Sequence, residues 1–481
     1  MMKIGSIING QERIEENRQT MAVHNPFDNE KVAELKLAAK KDLDDAVTSS
    51  FETFHSVMKA MPAHERADIL RKTADLLEKR TDEFATTICK EAGKPIKYSR
   101  GEVERSIQVL RFASELAKNI TGEVVPMDAA VGGQHRIGLV KREPLGVVGA
   151  ITPFNFPLNL SLHKLAPALA AGNTVVFKPA EKTPISAYKL VKLFQEAGLP
   201  DGVINLVIGT GEEVGAPLVT HDHVHKISFT GSLAVGKNIR ETAGFKKVTL
   251  ELGSNSPNIL FEDSDIEDAA TELVKGAFAF SGQVCISAQR IYVHQQIYDN
   301  FLSSYIQKIN ALRIGDPLDE KTDIGPMINQ EEAERAKQWI DDAVEKGAKI
   351  EVGGEQDGAV LTPTLMTNVD ENMKIIAQEV FAPIVSVIPF RTEEEVIGYS
   401  NNSIYGLQAG VFTKDINRAM RVADRLEMGG VWINEISTYR QDNHPYGGVK
   451  QSGVGREGVK YAIEDMTETK FIGIKIDQNK Q

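Results

Sequence analysis

The chain has 481 residues, 42% of them hydrophobic and 25% charged, and its 55 basic and 67 acidic side chains give a formal net charge of −12 at pH 7. That length exceeds what one compact core holds, so two or three domains are expected, and the acidic balance without a basic stripe excludes a nucleic-acid-binding role. With two cysteines there is no disulfide framework, and the first ten residues are too poor in apolar side chains for a signal peptide, so a reducing, cytoplasmic setting is expected.

In chain order, residues 63–90 place Ile69, Leu70, Ala74, Leu77, Phe84 and Ile88 at helical spacing, and residues 103–116 repeat the pattern, which predicts a helix-rich N-terminal part. Cys89, on the first of these amphipathic stretches, is read as a packing residue. From residue 147 the texture becomes short β-branched runs, with strands expected at 147–151, 174–177, 203–207 and 226–229 and helices at 184–197 and 235–242. Strand–helix alternation of this kind builds right-handed βαβ units on a parallel sheet, so the class is α/β. The apolar stretch 158–176 is interrupted by His163, Lys164, Pro167 and Asn173 and fails as a membrane span. A second α/β series starts near Glu251, with helices expected at 266–280 and 295–312 and a strand at 430–434. The tail 469–476 alternates apolar and polar residues, which suits a strand added to another sheet, including a partner's.

Two residues carry the chemistry. Cys285 lies in Phe280-Ser-Gly-Gln-Val-Cys-Ile-Ser, beside the small residues Ser281 and Gly282. Most free cysteines are buried small hydrophobes, so the thiol alone settles nothing. Upstream, Thr249-Leu-Glu-Leu-Gly-Ser-Asn sets Glu251 among apolar neighbours, where a carboxylate becomes a stronger base. A nucleophile together with a base suggests covalent catalysis. For the cofactor, two glycine turns compete. Gly209-Thr-Gly-Glu-Glu-Val-Gly215 has GxGxxxG spacing and two glutamates, a weak dinucleotide signal; Phe229-Thr-Gly-Ser232, running on to Gly236, follows a strand and opens a helix whose free amides suit an anion. Lys178 and Glu181, at the end of a strand, suit ribose hydroxyls, although a surface charge pair is the plainer alternative. His221, His223 and His225 alternate, but no dedicated ligand spacing accompanies them, and no metal is expected.

Together these pieces resemble the aldehyde dehydrogenase superfamily over nearly the whole chain. The resemblance is carried by Pro153-Phe-Asn-Phe-Pro157, Lys178-Pro-Ala-Glu181, Phe229-Thr-Gly-Ser232, Glu251-Leu-Gly253, Gly282-Gln-Val-Cys285, Glu379-Val-Phe-Ala-Pro383 and Pro445-Tyr-Gly-Gly448 followed by Ser452-Gly-Val-Gly-Arg-Glu457, in the family's order. It implies two parallel-sheet α/β domains and a small β oligomerisation element: residues 1–123 and 143–250 for NAD binding, 251–464 for catalysis, and 124–142 with 465–481 for assembly as a homo-oligomer, dimer or tetramer.

The resemblance also assigns roles. Cys285 would attack the aldehyde to give a thiohemiacetal, Asn155 and the Cys285 backbone N–H would hold its oxyanion, and hydride loss to the nicotinamide would leave a thioester that water activated by Glu251 hydrolyses. The cofactor, NAD with NADP as a second possibility, would lie along Ile151, Thr152, Pro153 and Phe154, then Lys178, Pro179, Ala180 and Glu181. Gly211 and Gly215 would follow, then Phe229, Thr230, Gly231, Ser232 and Val235, with Leu252, Gly253, Glu379 and Phe381 at the nicotinamide end. The Glu181 carboxylate disfavours a 2′-phosphate by like-charge repulsion. The base segment reads Glu251-Leu-Gly-Ser-Asn255 where the family often has Glu-Leu-Gly-Gly-Lys, which keeps the base and favours hydrolysis over transfer to coenzyme A.

Residues 434–448 resemble the substrate-mouth loop of lactaldehyde and sulfolactaldehyde dehydrogenases, which implies a small hydroxylated or anionic aldehyde contacted by Arg105, His163, Ile286, Tyr439, Arg440 and His444. Arg105 beside Glu102 and Glu104 is equally a solvated helix-face pair. Val284, in place of an arginine before the nucleophile, weighs against a phosphorylated substrate. The alternatives are a succinic semialdehyde-type enzyme, a phosphorylated or phosphonate aldehyde enzyme, a coenzyme A-acylating enzyme or a non-catalytic relative.

Overall fold

A computed structural model describes residues 2–477. The runs Val147–Ile151, Thr174–Lys178 and Lys226–Thr230 are buried at every position, the signature of strands covered on both faces, and they form the centre of an eight-stranded sheet. Its order from one edge is Gly453–Val454, Lys247–Glu251, Lys226–Thr230, Val147–Ile151, Thr174–Lys178, Ile204–Leu206, Ser6–Ile8 and Gln11–Arg13. The middle five are parallel, while both ends are finished antiparallel. Strand order reverses between Val147–Ile151 and Lys226–Thr230, so the connections leaving their carboxyl ends diverge to opposite faces and leave a crevice. The helices Pro184–Glu196 and Leu233–Thr242 fall where the periodicity places them.

The apolar pattern over 63–90 continues through a break. At Arg80 (φ −115°, ψ 23°) the backbone leaves the helical region, separating Ala63–Lys79 from Thr81–Ala92. The next helix, Ile96–Ala117, is longer than its predicted core. The interrupted stretch 158–176 becomes the fully buried helix Asn159–Ala171, followed by a strand. Glu102 satisfies the free amides at its start, with Oε1 accepting from the Leu158 and Asn159 N–H groups at 2.9 and 3.1 Å. No helix among the described residues is long and apolar enough to cross a membrane.

A second sheet runs Lys349–Val352, Thr364–Thr367, Ile384–Phe390, Arg290–His294, Pro257–Leu260, Gln408–Phe412 and Gly430–Ile433, parallel except for the first strand. Helices Ile266–Phe278, Tyr298–Asn310 and Gln330–Glu345 cover it. The predicted helix 266–280 stops two residues early, because Phe280 and Ser281 turn left-handed. The strand Gly453–Val454 comes from late in the chain yet joins the first sheet, pairing with Leu250 and Glu251.

The tail strand Thr467–Lys475 pairs antiparallel with Arg136–Pro144 along its whole length, and Glu123–Val125 lies on the far side of that strand. Phe471 and Ile474 remain exposed on it. Residues 478–481 of the predicted assembly element lie outside the described residues.

Candidate active site

The carboxyl edge of the first sheet faces the amino edge of the second, and the predicted base and nucleophile meet there from opposite sides. Glu251 ends the strand Lys247–Glu251; Cys285 precedes the strand Arg290–His294. Between helix and strand, Phe280 (φ 49°) and Ser281 (φ 53°) adopt left-handed backbone, which costs about 1–3 kcal/mol per residue and needs external support. The Ser281 hydroxyl supplies part of it by donating to the Gly325 carbonyl at 2.8 Å, and the Ile328 N–H donates to Gln283 Oε1 at 2.9 Å. This turn delivers the half-buried Cys285 into a cavity of about 340 Å³ that also holds Glu251, Asn155, Phe154, Glu379 and Phe381.

The Cys285 sulfur stands 3.0 Å from the Tyr446 hydroxyl. Burial pushes the thiol up to about 12, against the opposing influence of Tyr446 and Arg440. Glu251 is buried, and neither carboxylate oxygen has a partner among the described residues. Burial first, and the neighbouring Glu457 second, raise it well above the usual carboxylate range. Its space depends on Gly447 (φ +153°), where a Cβ would lie 2.7 Å from Glu251 Oε1. Burial would raise Glu457 too, but Lys164 and Arg440 outweigh it and hold that carboxylate at about 2. Lys164 Nζ donates to Glu457 Oε1 at 2.8 Å and to Thr230 Oγ1 at 2.7 Å. One buried carboxylate therefore stays ionised and locked while its neighbour is left without a partner among the described residues.

Asn155 ties the two sides together. Its Nδ2 donates to the Gln283 carbonyl at 2.9 Å, two residues before Cys285, and its Oδ1 is buried without a partner among the described residues. Behind this contact the fully buried Lys94 forms an ion pair with Glu102. Its ammonium lies 3.7 Å from the centroid of the Phe156 ring and 4.6 Å from that of Phe280. One cation thus touches the loops carrying both predicted oxyanion donors.

A second cavity, of about 630 Å³, opens from the first where Pro153, Thr230 and Gly231 line both. It occupies the crevice at the reversal of strand order. Ile151, Thr152, Lys178, Ala180, Glu181 and Val235 line it, together with Phe229, Gly211 and Gly215, so the two competing glycine turns face one space. Ser232, Leu252 and Gly253 line the smaller cavity with Glu379 and Phe381. Pro179 is outside the lining; its carbonyl accepts from Lys178 Nζ at 3.2 Å.

The residues fit a dinucleotide. Lys178 Nζ and Glu181 Oε1 are 2.8 Å apart at one end, offering a donor and an acceptor to a diol. The helix Leu233–Thr242 starts at the crevice, with Ser232 Oγ only loosely engaged at 3.5 Å from the Val235 N–H, which leaves its first amides for phosphate oxygens. At the other end Glu379 accepts from the Ser254 N–H at 3.1 Å, and burial pushes its carboxyl up to about 7. A Cβ on Gly253 would fall 2.2 Å from Glu379 Oε2, so that position requires glycine for space.

The six predicted substrate residues do not form one cluster. Arg105 and His163 converge on Asp442, with Arg105 Nη2 at 2.6 Å, Arg105 Nε at 3.2 Å and His163 Nε2 at 2.7 Å. Arg105 is thus bound across to the mouth loop rather than solvated beside Glu102 and Glu104. Arg440 is buried 3.6 Å over the Tyr446 ring and pairs with Glu457 at 3.1 Å. Ile286 is buried beside Tyr446 and Leu407. Tyr439 and His444 flank the Trp432 ring, at 4.9 and 5.4 Å between centroids, and none of the six lines either cavity. His221 and His223 lie in a surface group in which the ring of His223 rests on Phe51.

Tyr446, Asp442, Glu457, Lys164, Gln283 and Lys94 escape the sequence reading, as do Glu332 and Arg335, which line the smaller cavity from the helix Gln330–Glu345. Tyr446 and Glu457 lie inside motifs already quoted, but nothing local says that one meets the thiol and the other flanks the base.

Comparison with known proteins gives a consistent result. The profile of the aldehyde dehydrogenase family matches residues 14–472. The chain is 48% identical over 472 residues to a 3-sulfolactaldehyde dehydrogenase of Priestia megaterium, covering 98% of each chain. It is 44% identical over 461 residues to a lactaldehyde dehydrogenase of Methanocaldococcus jannaschii, covering 95% of this chain and 97% of that one. Among solved structures, a glyceraldehyde-3-phosphate dehydrogenase from Methanocaldococcus jannaschii complexed with NADP superposes with a TM-score of 0.92 at 43% identity, covering 95% of this chain and 100% of that one.

Proposed function

Since the chain belongs to the aldehyde dehydrogenase family, we propose that it oxidises a small hydroxylated aldehyde of the lactaldehyde or sulfolactaldehyde type to its carboxylate, with NAD as the preferred hydride acceptor. The observation that carries this reading is the convergence of Cys285, Glu251 and Asn155 on one cavity continuous with a dinucleotide-sized crevice. Cys285 attacks the aldehyde carbon as a thiolate, and the carbonyl oxygen takes the charge against the Asn155 amide and the Cys285 backbone N–H. When bound, the nicotinamide ring supplies an acceptor for the hydride. Cys285 then holds the acyl group as a thioester, and Glu251 removes a proton from the water that adds to it.

We assign the substrate's anionic end to Arg105, which lies outside the lining of the smaller cavity, spends its Nε and one Nη2 hydrogen on Asp442 and keeps its remaining N–H groups for an oxyanion. Burial would raise Asp442, but His163 and Arg105 outweigh it and keep its carboxyl below the usual range, so the pair holds its charge and its geometry. The names of the sulfolactaldehyde and lactaldehyde relatives agree with a three-carbon hydroxyaldehyde. Kinetics with both substrates test this. Arg105→Gln lowers kcat/KM for sulfolactaldehyde by about 10–100-fold, the worth of a charge-assisted hydrogen bond, and for lactaldehyde far less. Equal losses on both would remove the anion-end assignment.

Glu181 sets the cofactor preference. Its carboxylate lines the larger cavity beside Lys178 and would repel a 2′-phosphate brought near it, so Glu181→Ser, which deletes that charge, raises the kcat/KM ratio of NADP over NAD by about tenfold. An unchanged ratio would move cofactor discrimination elsewhere.

We place residues 1–123 and 143–250 in a NAD-binding domain, 251–464 in a catalytic domain, and 124–142 with 465–481 in an element that joins copies of the chain as a dimer or tetramer in the cytoplasm. The exposed apolar side chains on Thr467–Lys475 support the assembly role.

A further inference from the structure

We infer that Tyr446 is a catalytic residue, whose phenolic O–H donates to the Cys285 sulfur and holds it as the attacking thiolate. The inference deepens the proposed function and rests on Cys285 being the nucleophile. The contact is direct, at 3.0 Å between sulfur and oxygen. Tyr446 is buried, and its hydroxyl has no other partner among the described residues. The ring is fixed by Arg440, whose guanidinium lies 3.6 Å from the ring centroid and is itself held by Glu457.

The charged and titratable groups around the sulfur are Tyr446, Arg440, Glu379 and Glu251. The two carboxylates oppose the thiolate, and Arg440 favours it through space, so Tyr446 is the one group that touches the sulfur with a proton. A thiolate accepts hydrogen bonds and donates none, so ionisation fixes the direction of this bond. Burial and the neighbouring thiol keep the phenol protonated far above neutral pH, so the donor is present whenever the thiolate is.

The step is balanced without a further reactant. The thiol proton goes to solvent through the open cavity, leaving a lone pair on sulfur against the Tyr446 O–H. That pair forms the C–S bond as the carbonyl π pair moves onto oxygen. Tyr446 keeps its own proton throughout, and its hydrogen bond weakens as charge leaves the sulfur. The bond therefore favours formation of the thiolate more than its onward reaction, so it sets the fraction of enzyme ready to attack.

The test uses full-length enzyme and iodoacetamide, which alkylates the thiolate independently of aldehyde or cofactor. Tyr446→Phe removes one oxygen and keeps the ring beneath Arg440. The alkylation midpoint at Cys285 rises by about one pH unit, and at fixed pH the first-turnover rate falls about tenfold with NAD affinity unchanged. Tyr446→3,5-difluorotyrosine keeps the shape with a stronger donor and moves the midpoint down, a direction that general loosening of the fold does not produce. Superimposable alkylation profiles for wild type and Tyr446→Phe, or no downward movement with difluorotyrosine, would overturn the inference. Full activity of Cys285→Ala would instead overturn the underlying nucleophile assignment.

Discussion

Cys285→Ala abolishes aldehyde oxidation, lowering kcat by at least about 10⁴-fold while NAD affinity changes less than about twofold. The size follows from the role: without the sulfur there is no covalent step, and the remaining oxyanion donors act on a carbonyl that nothing attacks. Affinity survives because the larger cavity is lined from Ile151 to Ile239 and does not include Cys285. The measurement is reduced-nicotinamide absorbance with lactaldehyde, paired with titration of NAD into the variant. Residual activity within tenfold of wild type would require a different nucleophile, and Cys89 does not offer one, since it is packed in the hydrophobic core and lines neither cavity.

Glu251→Gln separates the two halves of the reaction. The first turnover still releases one equivalent of reduced cofactor per site, whereas steady-state turnover falls about 10²–10⁴-fold because the thioester outlives the water that should remove it. Mass spectrometry of the quenched variant then finds the acyl group on the peptide containing Cys285. In wild type the deacylation rate rises with pH as Glu251 loses its proton, and that rise lies above the ordinary carboxylate range, because burial raises its pKa and only the ionised form accepts a proton from water. Below that point Glu251 is protonated and inactive as a base. The glutamine variant lacks this limb. A first turnover lost as completely as the steady state would give Glu251 an obligatory role in attack.

How much of this was legible depends on the distance over which each feature is specified. The central strands were readable because burial on both faces leaves apolar runs, as in Val147–Ile151 and the Val-Val-Phe centre of Thr174–Lys178. Ser6–Ile8 and Gln11–Arg13 are three residues each, too short to show a period. The helix expected to reach 280 failed at its end because apolar spacing continues through Phe280 while the backbone reverses there, a reversal held by Gly325 and Ile328 much later in the chain. Cys285, Glu251 and Asn155 stand in local motifs, and the structure brings all three to one cavity. Their support is not local: Arg105 and Asp442, or Lys164 and Glu457, meet only because helices and the late loop dock, at separations of 337 and 293 residues. Pairing at that range leaves no trace in spacing. The weak GxGxxxG turn shows the converse, a poor motif match that nonetheless lines the larger cavity through Gly211 and Gly215.

The late return of Gly453–Val454 to the first sheet has a consequence for how the protein is born. On the ribosome, the sulfur and the carboxylate emerge well before Tyr446, Gly447 and Glu457, and before the short edge strand that clasps the base. A nascent chain therefore carries the sulfur and the carboxylate before the residues that enclose them in the folded protein have been made.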